Sequence, residues 1–454
     1  MSPNLSPIKN IVVVMMENRS FDHLLGYLSL PPYNKPGVDG QSTDPAWLAR
    51  YTNNDRGLAV QPFLSDNPYT LPDEFDPPHE RPNIAAQLGP FANNAFPMNC
   101  FVSAIPDTVS NDPAVRRLVM SYFEAEQVPI TQFFASNFAI CNRWFSSLPA
   151  GTQANRLMSM SGFTEIQVNQ TPLPKQDLVY DWLTARGISW RVYHEGIPFF
   201  ALMLKWIVPI LFDEEHFRSF DKLEDDLAGT PPNELPQVIF VEPAYQDAPH
   251  LDFATDDHAP SGVSNGQEFL MRVYNAVTTS PSFWRGAVMI VDYDEHGGYF
   301  DHVSPPPIPT EPPQPGLYPR FETLGVRVPA YVISPFVQPG LVSQALLDHT
   351  SVLKFLGEKF DPAGSYSAVV DSRPVESVSA LLNFDNPVLD PPSVPALDAY
   401  LAQRPAAAPL TVPAPNTALQ KAFSDAVANM RQQGAGPNHP KFGSLLKQMD
   451  AAGK

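Results

Sequence analysis

The chain of 454 residues has few cysteines and few charged residues. Its two cysteines, Cys100 and Cys141, are too few for a disulfide framework, and either one bridge or two reduced thiols is compatible with the sequence. Only 17% of the residues are charged, whereas 43% are hydrophobic and 11% are aromatic. This composition argues against global disorder and is sufficient for one large domain or two smaller ones.

Long apolar runs are also missing. The run at 11–16 is far shorter than the roughly 18 residues that a membrane-spanning helix needs. The N-terminus lacks the basic, apolar and small-residue segments that together make a signal peptide. We therefore expect a soluble protein that is either cytoplasmic or secreted after removal of a leader.

The chain has few basic residues: it contains 29 Lys and Arg but 48 Asp and Glu, which gives a formal net charge of −19. A strongly acidic surface repels phosphate backbones and anionic membranes. We therefore expect no nucleic-acid partner and at most transient contact with a membrane surface. The sequence does not indicate an oligomeric state.

The apolar pattern alternates between strands and helices. Short runs rich in β-branched residues predict buried strands at 11–16, 189–193, 238–241, 287–292 and 330–333. Longer periodic segments predict helices at 113–127, 175–186, 265–279, 347–358 and 416–432. This alternation predicts an α/β fold with a largely parallel central sheet flanked by helices.

The remaining segments suggest how the chain is organised. The 52 prolines cluster in segments such as 304–319 and 403–415, which predicts stiff surface loops. Segment 31–112 has few strand signals and is interpreted as an irregular excursion that shapes one side of the site. We expect a catalytic domain over 1–385 and a Pro/Ala-rich C-terminal extension with one helix over 386–454.

Carboxylates follow two of the predicted strands. Glu17 and Asn18 come directly after the run at 11–16, and Asp294 and Glu295 follow the run at 287–292. Ligands of parallel α/β sheets bind beyond the carboxyl ends of the strands, and oxygen ligands suit a hard divalent cation. Any one of these residues alone is more simply a solvated loop residue, but the two motifs together favour a metal site.

Three further residues suit phosphoryl chemistry. Gly151 and Thr152 open a predicted helix, where free backbone amides favour a phosphate and a metal can activate the threonine hydroxyl. Thr152 could instead be only an N-cap. His258 and His79 lie in polar turns and could contact phosphoryl oxygens or protonate a leaving oxygen, although each could equally be structural. The aromatic stretch 197–202 with Trp206 is either a lipid-facing wall or ordinary core.

These motifs resemble those of a known family. The segments 16–23, with sequence MENRSFDH, and 293–302, with sequence YDEHGGYFDH, look like the two signature stretches of the bacterial phospholipase C / acid phosphatase family. Plant non-specific phospholipases C are similar. Further matches are NRWF leading into GTQANR, Asp257-His258 before a proline-containing turn, VPAYVISP and DHTSVL. The resemblance covers roughly residues 8–385.

The resemblance implies an alkaline-phosphatase-like fold and one divalent metal ion, of unspecified identity, held by Glu17, Asn18, Thr152, Asp294 and Glu295. It also implies that Thr152 is the nucleophile and that His79 and His258 surround the phosphoryl group. We expect Asn155 and His296 to bind the substrate.

The resulting hypothesis is a phospholipase C that cleaves phospholipid head-group phosphodiesters through a phosphothreonine. Its substrate would be a phospholipid or a small phosphate ester. One alternative is an acid phosphatase of the same family, which would act on phosphomonoesters. A different alternative is a catalytically inactive protein that only binds metal or phosphate. A metal assay and a substrate panel distinguish them.

Overall fold

A computed structural model describes residues 4–72, 75–250, 253–307, 323–405 and 416–452. The proline-rich loops predicted at 304–319 and 403–415 fall largely outside these ranges.

An eight-stranded sheet forms the centre of the molecule. Its strands are β1 Asn10–Met16, β2 Ala139–Cys141, β3 Trp190–His194, β4 Phe217–Ser219, β5 Val238–Glu242, β6 Ala287–Tyr293, β7 Ala330–Ile333 and β8 Val342–Ser343. Their order across the sheet is β8-β2-β7-β6-β1-β5-β3-β4. All neighbouring pairs are parallel except those made by β7, which is antiparallel to both β6 and β2. The predicted α/β class with a largely parallel sheet is confirmed.

All five predicted strands are present, with bounds within one or two residues of the prediction. They were predictable because β5, β6 and β7 are buried along their whole length and β1 nearly so, which requires continuous apolar runs. Strands β2, β4 and β8 have only two or three residues each, too few to give a recognisable pattern. Three short strand pairs lie outside this sheet: Asn53–Asp55 with Leu58–Val60, Phe63–Leu64 with Ser121–Tyr122, and Trp144–Phe145 with Leu347–Asp348.

Sixteen α-helices occur within the described ranges. They are α1 Phe21–Leu24, α2 Pro45–Arg50, α3 Arg81–Leu88, α4 Pro113–Arg116, α5 Pro129–Asn137, α6 Thr152–Ser161, α7 Val179–Ala185, α8 Leu204–Phe212, α9 Leu223–Gly229, α10 Ser264–Thr279, α11 Pro281–Trp284, α12 Thr350–Phe360, α13 Ala368–Ser372, α14 Asp398–Leu401, α15 Ala418–Gln432 and α16 Gly443–Ala452. Short 3-10 helices occupy Gly26–Ser29, Arg117–Met120, Phe199–Leu202, Phe220–Lys222 and Val378–Leu381. None of the described helices combines the length and apolar character needed to cross a membrane.

Four of the five predicted helices are found as α7, α10, α12 and α15, and the prediction at 113–127 is wrong. That segment makes one helical turn, a 3-10 turn and the short strand Ser121–Tyr122. The strand forms because Tyr122 and its neighbour pair with Phe63 and Leu64, a long-range contact that local periodicity does not reveal. The next helix along the chain, α5, follows the predicted segment and begins at Pro129, where proline fits the first helical position.

The described C-terminal residues pack on the same hydrophobic core as the sheet. Leu419, Phe423 and Met430 of α15 are buried in that core. The N-terminus of α15 is fixed by a capping box between Thr417 and Gln420. The division into a catalytic domain over 1–385 and an extension over 386–454 stays a prediction.

The aromatic stretch 197–202 belongs to the core. Phe199, Phe200 and Leu202 are each at most 3% exposed, so they do not form a lipid-facing wall. Cys100 and Cys141 are free thiols. Cys141 is buried in β2, where desolvation raises the pKa of its thiol well above the ordinary value.

Candidate active site

Three carboxylates lie at the ends of three adjacent strands. Glu17 follows β1, Asp294 follows β6 and Glu242 is the last residue of β5. The parallel register between β1 and β6 pairs Met16 with Tyr293, so Glu17 and Asp294 occupy equivalent positions just beyond the sheet. Both of these side chains are fully buried. The chain therefore gathers negative charge where the fold predicts a ligand site.

The two acidic motifs pack against each other with almost no free space. The backbone amide of Asn18 donates to Asp294 Oδ1 over 3.2 Å. Gly297 has a φ of 62°, and a Cβ atom there would lie 2.1 Å from the Asn18 carbonyl oxygen. Only glycine satisfies both conditions, so Gly297 is required for this contact.

The side-chain amide of Asn18 faces three site residues. One of its terminal atoms lies 2.6 Å from Glu295 Oε1 and 3.3 Å from Asp294 Oδ1, and the other lies 2.8 Å from His258 Nε2. With the nitrogen toward the carboxylates, the amide donates to both of them. With the oxygen toward them, three oxygen atoms meet, and such an arrangement needs a cation among them.

Thr152 is the first residue of α6, and Gly151 is the N-cap. The Thr152 hydroxyl is buried, makes no hydrogen bond with any residue that the structure describes, and does not cap the helix. The alternative reading of Thr152 as an N-cap is therefore wrong. Gly151 packs closely against the segment that carries His79. A Cβ added to Gly151 would lie only 3.4 Å from the His79 carbonyl oxygen. This contact brings the start of α6 to the histidine side of the site.

His258 and His79 lie side by side, with ring centroids 5.3 Å apart. His258 Nδ1 lies 3.3 Å from Glu17 Oε2, and His79 Nε2 lies 4.0 Å from Glu295 Oε1. Each histidine therefore contacts one of the predicted metal-ligand carboxylates. The structure brings His79, His258, Glu17, Asn18, Asp294 and Glu295 into one buried cluster.

Two carboxylates that the sequence analysis missed complete the histidine environment. Asp76 Oδ1 lies 3.2 Å from His258 Nε2, and Asp247 Oδ2 lies 3.4 Å from His258 Nδ1. Burial disfavours the charged imidazole, but Asp247 and Asp76 outweigh it and raise the pKa of His258 well above its usual value. In the same way, burial is outweighed by Glu295 and Asp76, which raise the pKa of His79 to about 9.

Position in the sequence offered a weak signal for both missed carboxylates. Asp76 precedes His79 by three residues, and Asp247 follows the end of β5 by five residues. Among the described residues, closely spaced groups of potential metal ligands include Asp76 with His79 and His258, and Glu17 with Asp247 and His258. A third group, Asp22 with Asp301 and His302, belongs to an ion-pair network around Arg327.

The two predicted substrate-binding residues bond within the protein. Asn155 Nδ2 donates to the Ala150 carbonyl over 2.6 Å, and Asn155 Oδ1 accepts from the Leu148 amide over 3.0 Å. His296 is fully buried and lies 2.9 Å from Gln87 Oε1. These contacts fix the loop before Thr152 and the ring of His296. Direct contact of either residue with substrate stays a prediction.

The predicted metal ligands fit a divalent cation. The hydroxyl of Thr152 is buried and takes part in no hydrogen bond among the described residues. Both Glu17 carboxylate oxygens are buried as well, and each lies beside a basic side chain, Arg156 for Oε1 and His258 for Oε2. Burial and the neighbouring Glu17 carboxylate raise the pKa of Asp294. A bound cation would satisfy the unpartnered hydroxyl and reduce the repulsion between the neighbouring carboxylates. Glu17, Asn18, Thr152, Asp294 and Glu295 would hold it.

Known proteins with similar sequences are phosphoesterases. The chain is 33% identical over 353 residues to non-specific phospholipase C6 of Arabidopsis thaliana, covering 74% of this chain and 63% of that protein. It is 28% identical to phospholipase C B of Mycobacterium tuberculosis, covering 87% of this chain and 81% of that one. It is 27% identical to the non-hemolytic phospholipase C of Pseudomonas aeruginosa, covering 88% and 61%. The chain thus spans a little under two thirds of the first Arabidopsis relatives.

A solved structure from the alkaline phosphatase superfamily of Vibrio parahaemolyticus is similar at a TM-score of 0.33 and 12% identity, covering 67% of this chain and 82% of that one. A model of the phosphoesterase family matches residues 8–362. That range contains both acidic motifs, Thr152 and both histidines, and the chain belongs to the phosphoesterase family.

Proposed function

We propose that the chain is a metal-dependent phosphoric ester hydrolase, a phospholipase C that cleaves the head-group phosphodiester of a phospholipid through a covalent phosphothreonine. The observation that carries this proposal is the buried hydroxyl of Thr152 at the start of α6, which has no hydrogen-bond partner in the described part of the chain. Four residues along the same helix, Arg156 contacts Glu17 and Asp294, which supports placing Thr152 beside the predicted oxygen ligands. Relatives named as phospholipases C, which span most of this chain, support the lipid substrate.

The covalent step uses residues of this chain for bond formation and proton transfer. Thr152 Oγ1 forms a bond to phosphorus while the bond between phosphorus and the alcohol oxygen breaks. His258 gives a proton to the departing alcohol. Water then attacks phosphorus and gives one proton to His258. Thr152 Oγ1 departs and regains from solvent the proton that it released on attack, and the phosphate monoester of the head group leaves. A bound divalent cation would supply Lewis-acid stabilisation of negative charge at this position.

Glu17, Asp294 and Glu295 contribute a fixed negative environment that the cation would neutralise. The N-terminus of α6 favours a phosphoryl anion, because the first amides of a helix have no partner within it. One of them, the Gln153 amide, donates to Asn169 Oδ1 over 3.0 Å. His79 lies beside His258 and can donate a hydrogen bond to the same phosphoryl group. We propose one divalent ion per chain. The two compartments expected from the sequence, the cytoplasm and secretion after removal of a leader, stay predictions.

A substrate panel tests the proposal. Phosphatidylcholine, a soluble phosphocholine diester and a phosphomonoester are compared with and without a chelator. A phospholipase C releases diacylglycerol from the lipid, and chelation abolishes this release. Turnover of the monoester alone would assign the acid phosphatase activity instead. Bound metal without turnover of any substrate would leave the inactive binding protein.

A further inference from the structure

Arg156 lies inside the site but is not one of its predicted ligands. It follows Thr152 by four residues on α6, so the two side chains share one face of the helix. Arg156 is 4% exposed. Its Nη2 atom lies 3.0 Å from Glu17 Oε1, and its Nε atom lies 3.2 Å from Asp294 Oδ2. One guanidinium therefore joins the carboxylates that follow two adjacent strands.

Arg156 contacts one oxygen of each carboxylate, and other groups contact the second oxygen. Arg156 takes Oε1 of Glu17 and Oδ2 of Asp294. The other Glu17 oxygen faces His258 at 3.3 Å, and the other Asp294 oxygen accepts from the amides of Asn18 and Glu295. The guanidinium thus sets the rotation of both carboxylate groups, leaving their second oxygens on the side of the site where Asn18 lies.

The guanidinium is itself locked in place. Its central carbon lies 4.7 Å from the ring centre of Phe199 and 4.9 Å from that of Tyr245. Arg156 Nη1 also donates to the Tyr245 hydroxyl over 3.1 Å. These are cation–π contacts and a hydrogen bond that the compact ammonium of lysine could not reproduce together.

Glu242 at the end of β5 fixes the two rings. Its Oε2 atom accepts from the Phe199 amide over 2.6 Å and from the Tyr245 hydroxyl over 3.2 Å. Because β6, β1 and β5 are neighbours, this chain of contacts connects the ends of three adjacent strands. A linked arrangement of this kind orients ligands more strictly than a single ion pair.

We propose that Arg156 is a positioning residue that holds Glu17 and Asp294 in the orientation that binds the metal, and that Glu242 acts on it through Phe199 and Tyr245. The inference rests on the metal site of the proposed function. It adds a group that touches neither metal nor substrate but determines how tightly the metal is held.

The test measures metal binding rather than turnover. Purified metal-free protein is titrated with Mn²⁺, and free Mn²⁺ is followed by electron paramagnetic resonance. Arg156→Lys keeps the charge but loses the paired contacts, and we expect its Mn²⁺ dissociation constant to rise about 10- to 100-fold. Tyr245→Phe removes only the hydroxyl and should raise the constant by a few-fold, in the same direction. Activity lost in Arg156→Lys should partly return at high Mn²⁺.

A matched control is available in Arg116, another buried arginine with a two-pronged contact. Its Nε and Nη2 atoms donate to the Asp55 carboxylate over 2.7 and 3.1 Å. Arg116→Lys should leave the Mn²⁺ dissociation constant within about twofold of the wild type, because Asp55 is not one of the proposed metal ligands.

Two outcomes separate this inference from the proposed function. If the wild type binds Mn²⁺ and Arg156→Lys binds it equally well, the positioning role is wrong and the hydrolase proposal stands. If the wild type binds no divalent metal, both are overturned. Should Arg156→Lys fail to fold, Tyr245→Phe decides, and unchanged affinity in that variant contradicts the inference.

Discussion

The contacts of two side chains, the Thr152 hydroxyl and the Asn18 amide, are the most informative about the chemistry of the site. The buried Thr152 hydroxyl without a partner lowers the stability of the folded protein, because desolvation of such a group costs about 1–3 kcal/mol. A site without a function would gain nothing in return for this cost. One terminal atom of the Asn18 amide lies 2.6 Å from Glu295 Oε1, and the other lies 2.8 Å from His258 Nε2. Both features are explained if the site binds a metal and a phosphoryl group.

Substitution of Thr152 distinguishes a nucleophile from a bystander. Under the proposed mechanism, Thr152→Ala should lower kcat by at least about a thousandfold, because no other group replaces the covalent step. Thr152→Ser keeps a hydroxyl and should retain part of the activity. Steady-state kinetics on the same lipid substrate measure both. Turnover of the alanine variant near that of the wild type would remove Thr152 from the mechanism.

At the scale of elements, the turn after Glu295 brings the two acidic motifs together. Gly297→Ala places a Cβ 2.1 Å from the Asn18 carbonyl oxygen and also strains a positive φ. We expect it to lower the free energy of unfolding by about 3 kcal/mol or more and to weaken metal binding. Denaturant unfolding and Mn²⁺ titration measure the two effects.

Gly187 provides the control for backbone strain alone. It has a φ of 66°, and a Cβ there would meet no atom within 4 Å. Gly187→Ala should therefore cost only about 1 kcal/mol and leave metal binding unchanged. Equal stability losses in the two variants would show that the contact between the motifs contributes nothing.

The elements also show what the sequence could and could not predict. β1 and β6 are continuous buried strands, so their apolar runs located the carboxylates that follow them. Asp76 and Asp247 were missed because their approach to His258 depends on an irregular segment and a loop, which no local pattern determines. Arg156 was missed as a positioning residue because its ion pairs are with Glu17 and Asp294, both roughly 140 positions away in the chain.

At the scale of the whole molecule, buried charge clusters link distant segments and make stability depend on pH. Outside the candidate site, His302 Nδ1 lies 2.6 Å from Asp22, and its Nε2 lies 2.9 Å from Asp39. Burial opposes the imidazolium, but the Asp22 carboxylate and the bond to Asp39 raise the pKa of His302 to about 9. This network joins residues 22, 39 and 302 across the fold.

The sign of the resulting pH dependence follows from the raised pKa. Charged His302 stabilises the folded state fully below its unfolded pKa of about 6.5, and this contribution is lost as the pH rises through about 9. His302→Gln should therefore destabilise the protein more at about pH 6 than at about pH 10, by up to roughly 3 kcal/mol. Urea unfolding of both proteins at the two pH values measures the difference. A difference independent of pH would contradict the assignment of a charged His302.

The most direct test of a covalent phosphothreonine at Thr152 is chemical trapping of this intermediate. Enzyme turning over phosphatidylcholine is quenched in acid, digested and analysed by mass spectrometry. We expect one head-group phosphoryl modification on the peptide that carries Thr152, absent from Thr152→Ala and from enzyme quenched without substrate. A modification that maps to another residue, or an unmodified Thr152 peptide in an enzyme whose alanine variant remains active, would contradict this mechanism.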